Sequence, residues 1–550
     1  MWSIGLLVVE LGGLFWLIRR HSVLRRQRDA IGRMIEVNRR GLARFALRWS
    51  ELPDAFEHDV TREHPFAWDL NIVGDASLLR RIGTPVSDGG WNHLLTALTA
   101  TTRVVDIRDR QVAVQELASA IDARQRVESV AVDRSGHLSA PSSLLEWSEG
   151  EDENVTPGWL TWFARISPVV TATLMILQWT GVLAFPFWLL PLVIQVGVSQ
   201  TIGTGASLQI RRIAPLYREL TGYVEMFETI SSTPADAPVL QTLRARLADG
   251  DASASTSQLS RVCSLVIPSG TLLYVPMQMV FLWDVNVLSV MEHWKARSGR
   301  KIRGWIDATA EWESLAALSV LDHDHPEWAF PVLDNDLSSL NAENLRHPLI
   351  ADPEAIGNDV TVGPQATILF VTGSNMSGKS TLLRAVGVNA VLARVGAPVA
   401  ADRMTLPSLD IRSCMRVEDS IERGVSFFMA ELLRLKSVVD AAKETDDQTV
   451  LYLLDEILQG TNTAERQIAS RQVMTSLAGA RAIGAVSSHD LELFEQPDLA
   501  KMAVPVHFAE QFDRTVRPPD MHFDYQLRSG IATSTNALAL MELLGFDVSP

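Results

Sequence analysis

The feature that most constrains this chain is a short glycine-bounded loop, Gly373-Ser374-Asn375-Met376-Ser377-Gly378-Lys379-Ser380-Thr381. An apolar, strand-like run over 366–372 precedes it, and a helical pattern begins at Leu382. A strand, a glycine-rich loop and a helix in this order are typical of a phosphate-binding loop. Glycine lets backbone N–H groups surround a polyphosphate at a helix N-terminus, so all nine loop residues are predicted to contact a nucleotide.

Two side chains of the loop have predicted chemical roles. Lys379 is expected to reach the β- and γ-phosphates of ATP, and Ser380 is expected to ligate Mg²⁺. The fold class that follows is an α/β P-loop nucleotide-binding domain with a parallel sheet.

Two further apolar runs end in polar residues. The run 449–454 leads into Asp455-Glu456, and the run 482–487 leads into Ser488-His489-Asp490. Buried parallel strands carry such residues at their carboxyl ends. Asp455 is predicted to hold Mg²⁺ through water, Glu456 to polarise the attacking water, and His489 to contact the γ-phosphate. The pattern predicts an ATP hydrolase with ATP and Mg²⁺ as its cofactors.

The residues around these motifs resemble the MutS-type ATPases. The resemblance is specific over about residues 341 to 545, and weaker over the upstream helical segments. It rests on segments that occur in the order of the family: Arg346-His347-Pro348, Asn358-Asp359, Asn375-Met376, Gly396–Ala400, Asp419, Gly424–Glu431, Asp455–Thr461 and Ser488–Asp490.

The resemblance implies properties that the motifs alone do not. It implies an α-helical core and lever domain before the ATPase domain, and it places Asn358 in the nucleotide site. It also implies an ATP-favoured homodimer in which Ser426 reaches the γ-phosphate held by the partner subunit. The mismatch-reading domain of the repair proteins has no counterpart before residue 60, so DNA is an expected partner while mismatch recognition is not.

Composition limits the compartment and the electrostatics. The 550 residues contain two cysteines, Cys263 and Cys414, which indicates a reducing compartment and no disulfide framework. The formal net charge of −16 gives no global attraction to nucleic acid.

A long uncharged stretch predicts membrane insertion. The 45 residues from Ile166 to Ile210 contain no charged side chain. About 20 apolar residues cross a bilayer, so this stretch fits two crossings with a turn at Phe185-Pro186-Phe187. The alternative is a buried hairpin of a soluble domain. The shorter apolar stretch Leu272–Trp283 is interpreted as a core helix because it runs into Asp284.

The N-terminal segment 1–18 is predicted to be an uncleaved anchor. Arginines follow its apolar residues instead of preceding them, unlike a signal peptide. Ten arginines and two acids occupy the stretch from Arg19 to Arg48, which either contacts anionic lipid head groups or forms a solvated amphipathic helix. Arg165, Arg211 and Arg212 flank the hairpin. The expected location is the cell (inner or plasma) membrane, multi-pass, with the ATPase domain in the cytoplasm.

The predicted domain order combines these segments. It runs from an anchor (1–18) through an arginine-rich segment (19–50), a helical core (51–156), a transmembrane hairpin (157–210) and a second helical core or lever (211–340) to the ATPase domain (341–550). In the lever, five basic residues form a cluster that binds phosphates of DNA or is a solvated helix face: Lys295, Arg297, Arg300, Lys301 and Arg303.

The sequence therefore predicts a membrane-anchored, MutS-like ATPase that couples ATP hydrolysis to conformational change on DNA. A transporter-type ATPase and an ATP-binding membrane scaffold remain alternatives. Gly424-Val-Ser-Phe-Phe stands where a transporter would have Leu-Ser-Gly-Gly-Gln, and Glu456 favours catalysis over a scaffold role.

Overall fold

The computed structural model describes residues 2–100, 107–132, 138, 141–150, 156–201, 203–213, 217–374, 376–415, 427–444, 448–458, 463–488, 497–513 and 520–531. Three predicted site residues, Asn375, Ser426 and His489, lie outside these ranges. So do Asp419 and Asp490 of the quoted motifs, together with the Gly424-Val425 pair.

Helices dominate the first two thirds of the chain. They are α1 (Trp2–Phe45), α2 (Leu78–Arg81), α3 (Asp88–Thr99), α4 (Ile107–Ser119), α5 (Ile121–Ser129), α6 (Ser142–Glu149), α7 (Gly158–Trp179), α8 (Leu189–Thr201), α9 (Gly203–Ile213), α10 (Tyr217–Ser232), α11 (Pro238–Ala248), α12 (Ala252–Ser264), α13 (Tyr274–Phe281), α14 (Trp283–Ser298) and α15 (Ile302–Asp324).

Strands and helices alternate after residue 330. The strands are β1 (Val332–Leu333), β2 (Leu340–Leu345), β3 (Asn358–Val362), β4 (Ile368–Thr372), β5 (Arg403–Leu406), β6 (Leu409–Cys414), β7 (Thr449–Asp455), β8 (Ala482–Ser487), β9 (Ala503–Asp513) and β10 (Asp520–Ser529). The helices are α16 (Lys379–Val395), α17 (Phe427–Lys443), α18 (Thr463–Ala478) and α19 (Pro497–Met502).

The larger sheet has six strands in the order β10-β9-β4-β8-β7-β6. Its pairs from β9 to β6 are parallel, and only β9–β10 is antiparallel. Strands β4, β7 and β8 are almost entirely buried, which explains their continuous apolar sequences. Because β8 lies between β4 and β7, the carboxyl ends of all three meet at one edge of the sheet. The predicted strands at 366–372, 449–454 and 482–487 are confirmed as β4, β7 and β8.

Helix α16 packs closely on this sheet because it contains glycine at position 387. A Cβ atom there would lie 2.6 Å from Leu70 Cδ2 and 2.8 Å from Leu453 Cδ1. The short separation leaves no space between helix and sheet, so the start of α16 is held rigidly at the end of β4.

The chain divides into two compact units. The first contains residues 1–37, 85–92 and 120–314, and the second contains residues 38–84, 93–119 and 315–550. The second unit therefore includes upstream residues that the sequence resemblance assigned to a helical core.

Asp69 binds one of these upstream segments to the nucleotide-binding part of the second unit. Its buried carboxylate accepts hydrogen bonds from Ser413 Oγ at 2.8 Å and Met415 N at 3.1 Å, and pairs with Arg434 at 2.8 Å. A buried charge with this many donors is stabilised, and removing one partner would leave it uncompensated.

The first unit contains the predicted hairpin. Helices α7 and α8 pack together and are joined by a turn over 180–188. Within the described residues, α7 is long and apolar enough to cross a membrane. Up to three spans result if two bent pairs each count as one: α8 with α9, and α13 with the helical run after it.

The predicted N-terminal anchor and the predicted core helix over Leu272–Trp283 have different outcomes. Residues 2–45 form one continuous helix, α1, although the side chains of residues 2–9 and 11 are outside the described part, so the N-terminal anchor stays a prediction. The prediction of a core helix over Leu272–Trp283 is wrong. Leu272 is 99% exposed and Leu273 is 60% exposed, because the apolar face of this segment points away from the other helices of the first unit.

Candidate nucleotide-binding site

The loop after β4 has the backbone conformation that phosphate binding requires. Gly378 adopts φ 109° as the N-cap of α16, and no side chain caps this helix. The first-turn N–H groups of a helix have no intrahelical acceptor, and the helix dipole adds partial positive charge there. The start of α16, at Lys379-Ser380-Thr381, therefore directs N–H donors and partial positive charge towards the position of a phosphate.

The Lys379 ammonium lies inside the loop. The side chain is 4% exposed, and Nζ donates to the carbonyl oxygens of Gly373 and Ser374 at 3.0 and 2.8 Å. Nζ also lies 3.5 Å from Glu456 Oε1. This arrangement places a buried positive charge between the loop and the acidic strand end.

The other small residues of the loop leave room and donors for a ligand. Gly373 has φ 140°, and a Cβ atom there would lie 2.7 Å from Ser377 Oγ and 3.1 Å from the Phe508 carbonyl oxygen. Ser377 Oγ is buried and has no hydrogen-bond partner among the described residues. An orphaned buried hydroxyl is costly unless a ligand satisfies it. Met376, at φ 69°, is 85% exposed.

The two acids follow β7 in different environments. Ser487 Oγ donates to Asp455 Oδ1, which orients that carboxylate. Glu456 has φ 50°, and its backbone N–H donates to Ser487 O and Oγ at 3.2 Å each. A non-glycine residue in the left-handed region is strained and is held there by its surroundings.

Glu431, which the sequence motifs include without a role, holds the segment after Glu456. Glu431 of α17 is 4% exposed, and its Oε1 accepts a hydrogen bond from Leu458 N. Burial raises the pKa of Glu431, and the hydrogen bond from Leu458 opposes that rise. Leu458 also has positive φ, 63°. Glu431 therefore fixes the backbone that carries the predicted catalytic carboxylate.

A cavity of about 870 Å³ adjoins the loop. Its lining includes Lys379, Ser380, Glu456 and aromatic side chains from the β9–β10 hairpin: Phe508, Phe523 and Tyr525. The rings of Phe523 and Tyr525 stack with centroids 5.9 Å apart. Aromatic faces beside a phosphate loop suit a planar base. The sequence motifs did not identify these aromatic residues, which follow the loop by more than 120 positions.

Asn358 has a structural contact within this cavity. Its Nδ2 donates to the Tyr525 carbonyl oxygen at 3.0 Å, and its Oδ1 accepts from Leu527 N at 2.7 Å. These bonds span the register shift of β10 between Phe523 and Leu527. Asn358 thus stabilises the bulge that directs Tyr525 into the cavity, where Asn358 also forms part of the lining.

The residues present fit Mg²⁺ and ATP. The site contains a buried ammonium, the first turn of α16, the orphaned Ser377 hydroxyl and two carboxylates. Oxygen ligands from a hydroxyl and a carboxylate, completed by water and phosphate, match the preference of Mg²⁺. The Ser380 hydroxyl and Asp455 would supply those protein oxygens.

His347 is a neutral residue of the cavity wall. Burial, assisted by the positive charges of Arg384 and Arg81, lowers the pKa of His347 to about 4. Its Nδ1 accepts from Leu349 N at 3.1 Å, so the proton of the neutral ring is on Nε2.

A second polar cluster, around His325 in the second unit, contains a histidine tautomer that does not suit a metal ligand. His325 Nδ1 lies 3.0 Å from Asp352 Oδ2 and 3.4 Å from Glu327 Oε1. Arg81, which can only donate, lies 2.6 Å from His325 Nε2. Nε2 is therefore the acceptor, and Nδ1 carries the proton that it donates to Asp352. The cluster is a hydrogen-bond network.

Four members of the predicted basic cluster of the lever make contacts within the first unit. Lys301 pairs with Asp249 at 2.5 Å, and Arg303 pairs with Glu149 at 2.7 Å. Arg297 donates to Gln258, and Lys295 lies over the Trp147 ring. These pairs are exposed, and exposed pairs contribute little to stability. Their charges are therefore still available to a competing phosphate.

The nucleotide-binding part matches known proteins. Residues 369–548 match the family model of MutS domain V. The chain is 32% identical over 246 residues to the DNA mismatch repair protein MutS 2 of Halobacterium salinarum, which is 44% of this chain and 26% of that relative. It is 30% identical over 257 residues, 46% of this chain, to the DNA mismatch repair protein MutS of Natronomonas pharaonis, of which 28% is covered.

A third relative is named as an endonuclease. Endonuclease MutS2 of Carboxydothermus hydrogenoformans is 29% identical over 208 residues, which are 38% of this chain and 25% of that relative. The chain thus spans about a quarter of the length of the curated relatives that it matches. This part of the chain is thus similar to MutS-type proteins.

Proposed function

We propose that this protein is a membrane-anchored, MutS-like ATP hydrolase that couples ATP binding and hydrolysis to conformational change on DNA. The observation that carries the proposal is the convergence of Lys379, Asp455 and Glu456 at one edge of the parallel sheet, beside a cavity that also contains aromatic rings. The match to MutS domain V supports the same chemistry.

Each residue of the site has a separate task in this proposal. Lys379 neutralises charge on the β- and γ-phosphates, and the N–H groups at the start of α16 donate to the same oxygens. Ser380 and Asp455 would hold Mg²⁺, which would supply positive charge to the transferring phosphoryl group. Glu456 accepts a proton from the attacking water, and Tyr525 stacks on the base. His489 contacts the γ-phosphate, and Ser426 of a partner subunit completes the site in a homodimer.

The DNA part of the proposal rests on the relatives named as mismatch repair proteins. The proposed contacts are to DNA phosphates through the basic helices of the lever. The membrane part rests on the apolar surface of α7 and α8, where bulky side chains such as Trp179 of α7 and Leu190 of α8 are 89% and 67% exposed. Hydrocarbon contacts would remove this surface from water. In the proposed topology, the ATPase domain is cytoplasmic.

The test is ATP turnover by the full-length protein in lipid vesicles, with and without duplex DNA. Wild-type protein should release phosphate in a Mg²⁺-dependent manner, and DNA should change the rate. Lys379→Ala should lose nucleotide binding and turnover together. If wild-type protein binds ATP but its turnover equals that of Lys379→Ala, the protein is a scaffold and the proposal fails.

A further inference from the structure

An uncharged segment in the first unit forms a closed loop. No charged residue occurs between Arg261, in α12, and Asp284, in α14. The two ends of the segment meet, because the Trp283 indole N–H donates to the Leu265 carbonyl oxygen at 2.8 Å. The segment therefore leaves the rest of the first unit and returns to it at the same place, and α13 lies between these two points.

The outer face of this loop is apolar and exposed. Leu272 is 99% exposed, Leu273 60%, Val275 51% and Phe281 44%. The segment also packs against both helices of the hairpin, α7 and α8, whose outward side chains are similarly apolar. One continuous apolar surface thus includes three helices of the first unit.

Polar side chains lie on the buried side of these helices and on their neighbours α9 and α14. Gln195 of α8 is fully buried, with both amide atoms unpaired among the described residues, and Gln278 of α13 is 7% exposed. The Asp284 carboxylate accepts from Ser207 Oγ at 2.6 Å and from Tyr274 OH at 2.9 Å. Gln278 Oε1 accepts from Asp284 N at 3.0 Å.

This polar-inside, apolar-outside arrangement reverses the pattern of a domain surrounded by water. In a bilayer the hydrocarbon excludes polar side chains from the outer surface, and small or polar residues join the helices. A protein partner would instead leave a polar rim with charged residues around the apolar surface, whereas no charged side chain occurs across 262–283.

We propose that residues 265–282 form a re-entrant membrane segment that enters the hydrocarbon beside the α7–α8 hairpin and returns to the same side. The occupant of the apolar surface is the acyl-chain region of a phospholipid bilayer. The eight residues of α13 extend only about 12 Å, less than half of a hydrocarbon core about 30 Å thick. This inference rests on the proposed membrane attachment of the protein, but places a third element, separate from the hairpin, in the lipid.

The depth test uses single cysteines labelled with an environment-sensitive fluorophore in the full-length protein. The vesicles contain dioleoylphosphatidylcholine with dioleoylphosphatidylglycerol, with or without lipids that carry a nitroxide on the acyl chain. Cys263 and Cys414 are buried, so labelling of the parent protein sets the background. Leu272→Cys is the test position, Val169→Cys at the middle of α7 reports the hairpin, and Thr242→Cys, exposed on α11, is the water-facing control.

The label at 272 should be quenched by the nitroxide lipids and about tenfold less by aqueous iodide than the label at 242, because ions are excluded from hydrocarbon. Quenching by lipid at 169 but by iodide at 272 would overturn the re-entrant segment and leave the hairpin in the membrane. Quenching by iodide at both positions would overturn membrane attachment itself.

The return of the segment to one side has its own test. In the same vesicles, Leu265→Cys and Trp283→Cys within one chain should be joined by a bis-maleimide about 10 Å long, because the bilayer core is about three times thicker. Efficient cross-linking is expected. Its absence, with both cysteines labelled singly, would mean that the segment crosses the bilayer and would contradict the proposal.

Discussion

At the scale of single residues, the site depends on side chains that hold strained backbone as well as on those that would contact ATP. Glu456 and Leu458 both have positive φ, and the Glu431 carboxylate is bonded to the Leu458 N–H. Such backbone persists because neighbouring groups hold it. Glu431 is therefore a positioning residue for the predicted catalytic carboxylate.

Replacement of Glu431 tests this role. Glu431→Ala removes the acceptor for Leu458 N–H, so kcat for ATP should fall by about tenfold to a hundredfold while KM changes little, since small misplacements of a catalytic group are costly. Glu431→Gln keeps an oxygen acceptor and should retain most of the activity. Steady-state kinetics of both variants distinguish positioning from folding. Equal losses in both, with a common fall in Tm, would indicate a structural role only.

His347 predicts a pH dependence of stability. Its pKa is lowered to about 4 in the fold, against about 6.5 in an unfolded chain. Between pH 4 and pH 6.5, His347 binds more protons in the unfolded state than in the folded state. The free energy of unfolding therefore decreases as the pH falls from 6.5 towards 4. The loss is about 1.4 kcal/mol at pH 5.5, which corresponds to a few degrees in the Tm of the second unit.

The measurement compares Tm at pH 7.5 and 5.5. His347→Asn retains a neutral acceptor for the Leu349 N–H at both pH values, so its Tm should fall less than that of the wild type. Burial also lowers the pKa of His64 and of His325, so the Tm of His347→Asn should still depend in part on pH. An identical Tm drop in wild type and variant would refute the role of His347.

At the scale of elements, much of the nucleotide-binding part could be predicted from the sequence. Strands β4, β7 and β8 are buried on both faces, so each is a continuous apolar run that ends in its functional residue. The Tyr525 position could not be predicted. It depends on a register shift in an antiparallel pair and on the Asn358 amide, which bonds across 167 residues.

The exposed position of α13 was also unpredictable from its composition. A short apolar run that ends at Asp284 is typical of a core helix in water, and the same run suits a half-length helix in lipid. The two cases differ in which side chains are exposed. Here Leu272 is exposed and Gln278 is buried, and this depends on the packing of α13 against α7 and α8.

The start of α17 carries the dimer prediction. Ser426 precedes this helix and lies outside the described residues. If it completes the site of a partner subunit, mixing Lys379→Ala with Ser426→Ala protein should restore turnover, because one composite site in each heterodimer contains both native residues. Each variant alone should be inactive. Continued inactivity of the mixture, together with a monomer at saturating ATP in light scattering, would rule out composite sites.

At the scale of the whole molecule, the charge distribution predicts how the proposed DNA binding depends on salt and on mismatches. The chain has a net charge of −16, and four of the five basic residues of the lever cluster make intramolecular contacts. Binding through phosphates is sensitive to salt and indifferent to sequence. Matched and single-mismatch duplexes should therefore bind with affinities within about tenfold, roughly 1.4 kcal/mol, and both should weaken as salt rises. A larger preference for the mismatch would contradict this account.

The central claim, that this chain hydrolyses ATP at the end of β7, is tested most directly by one variant. Glu456→Gln in the full-length, vesicle-bound protein keeps the size of the side chain and removes its capacity to accept a proton. ATP binding should remain within a few-fold of wild type, while the rate of phosphate release should fall by at least about a hundredfold, the usual contribution of a general base. Phosphate release by Glu456→Gln at the wild-type rate would contradict the account.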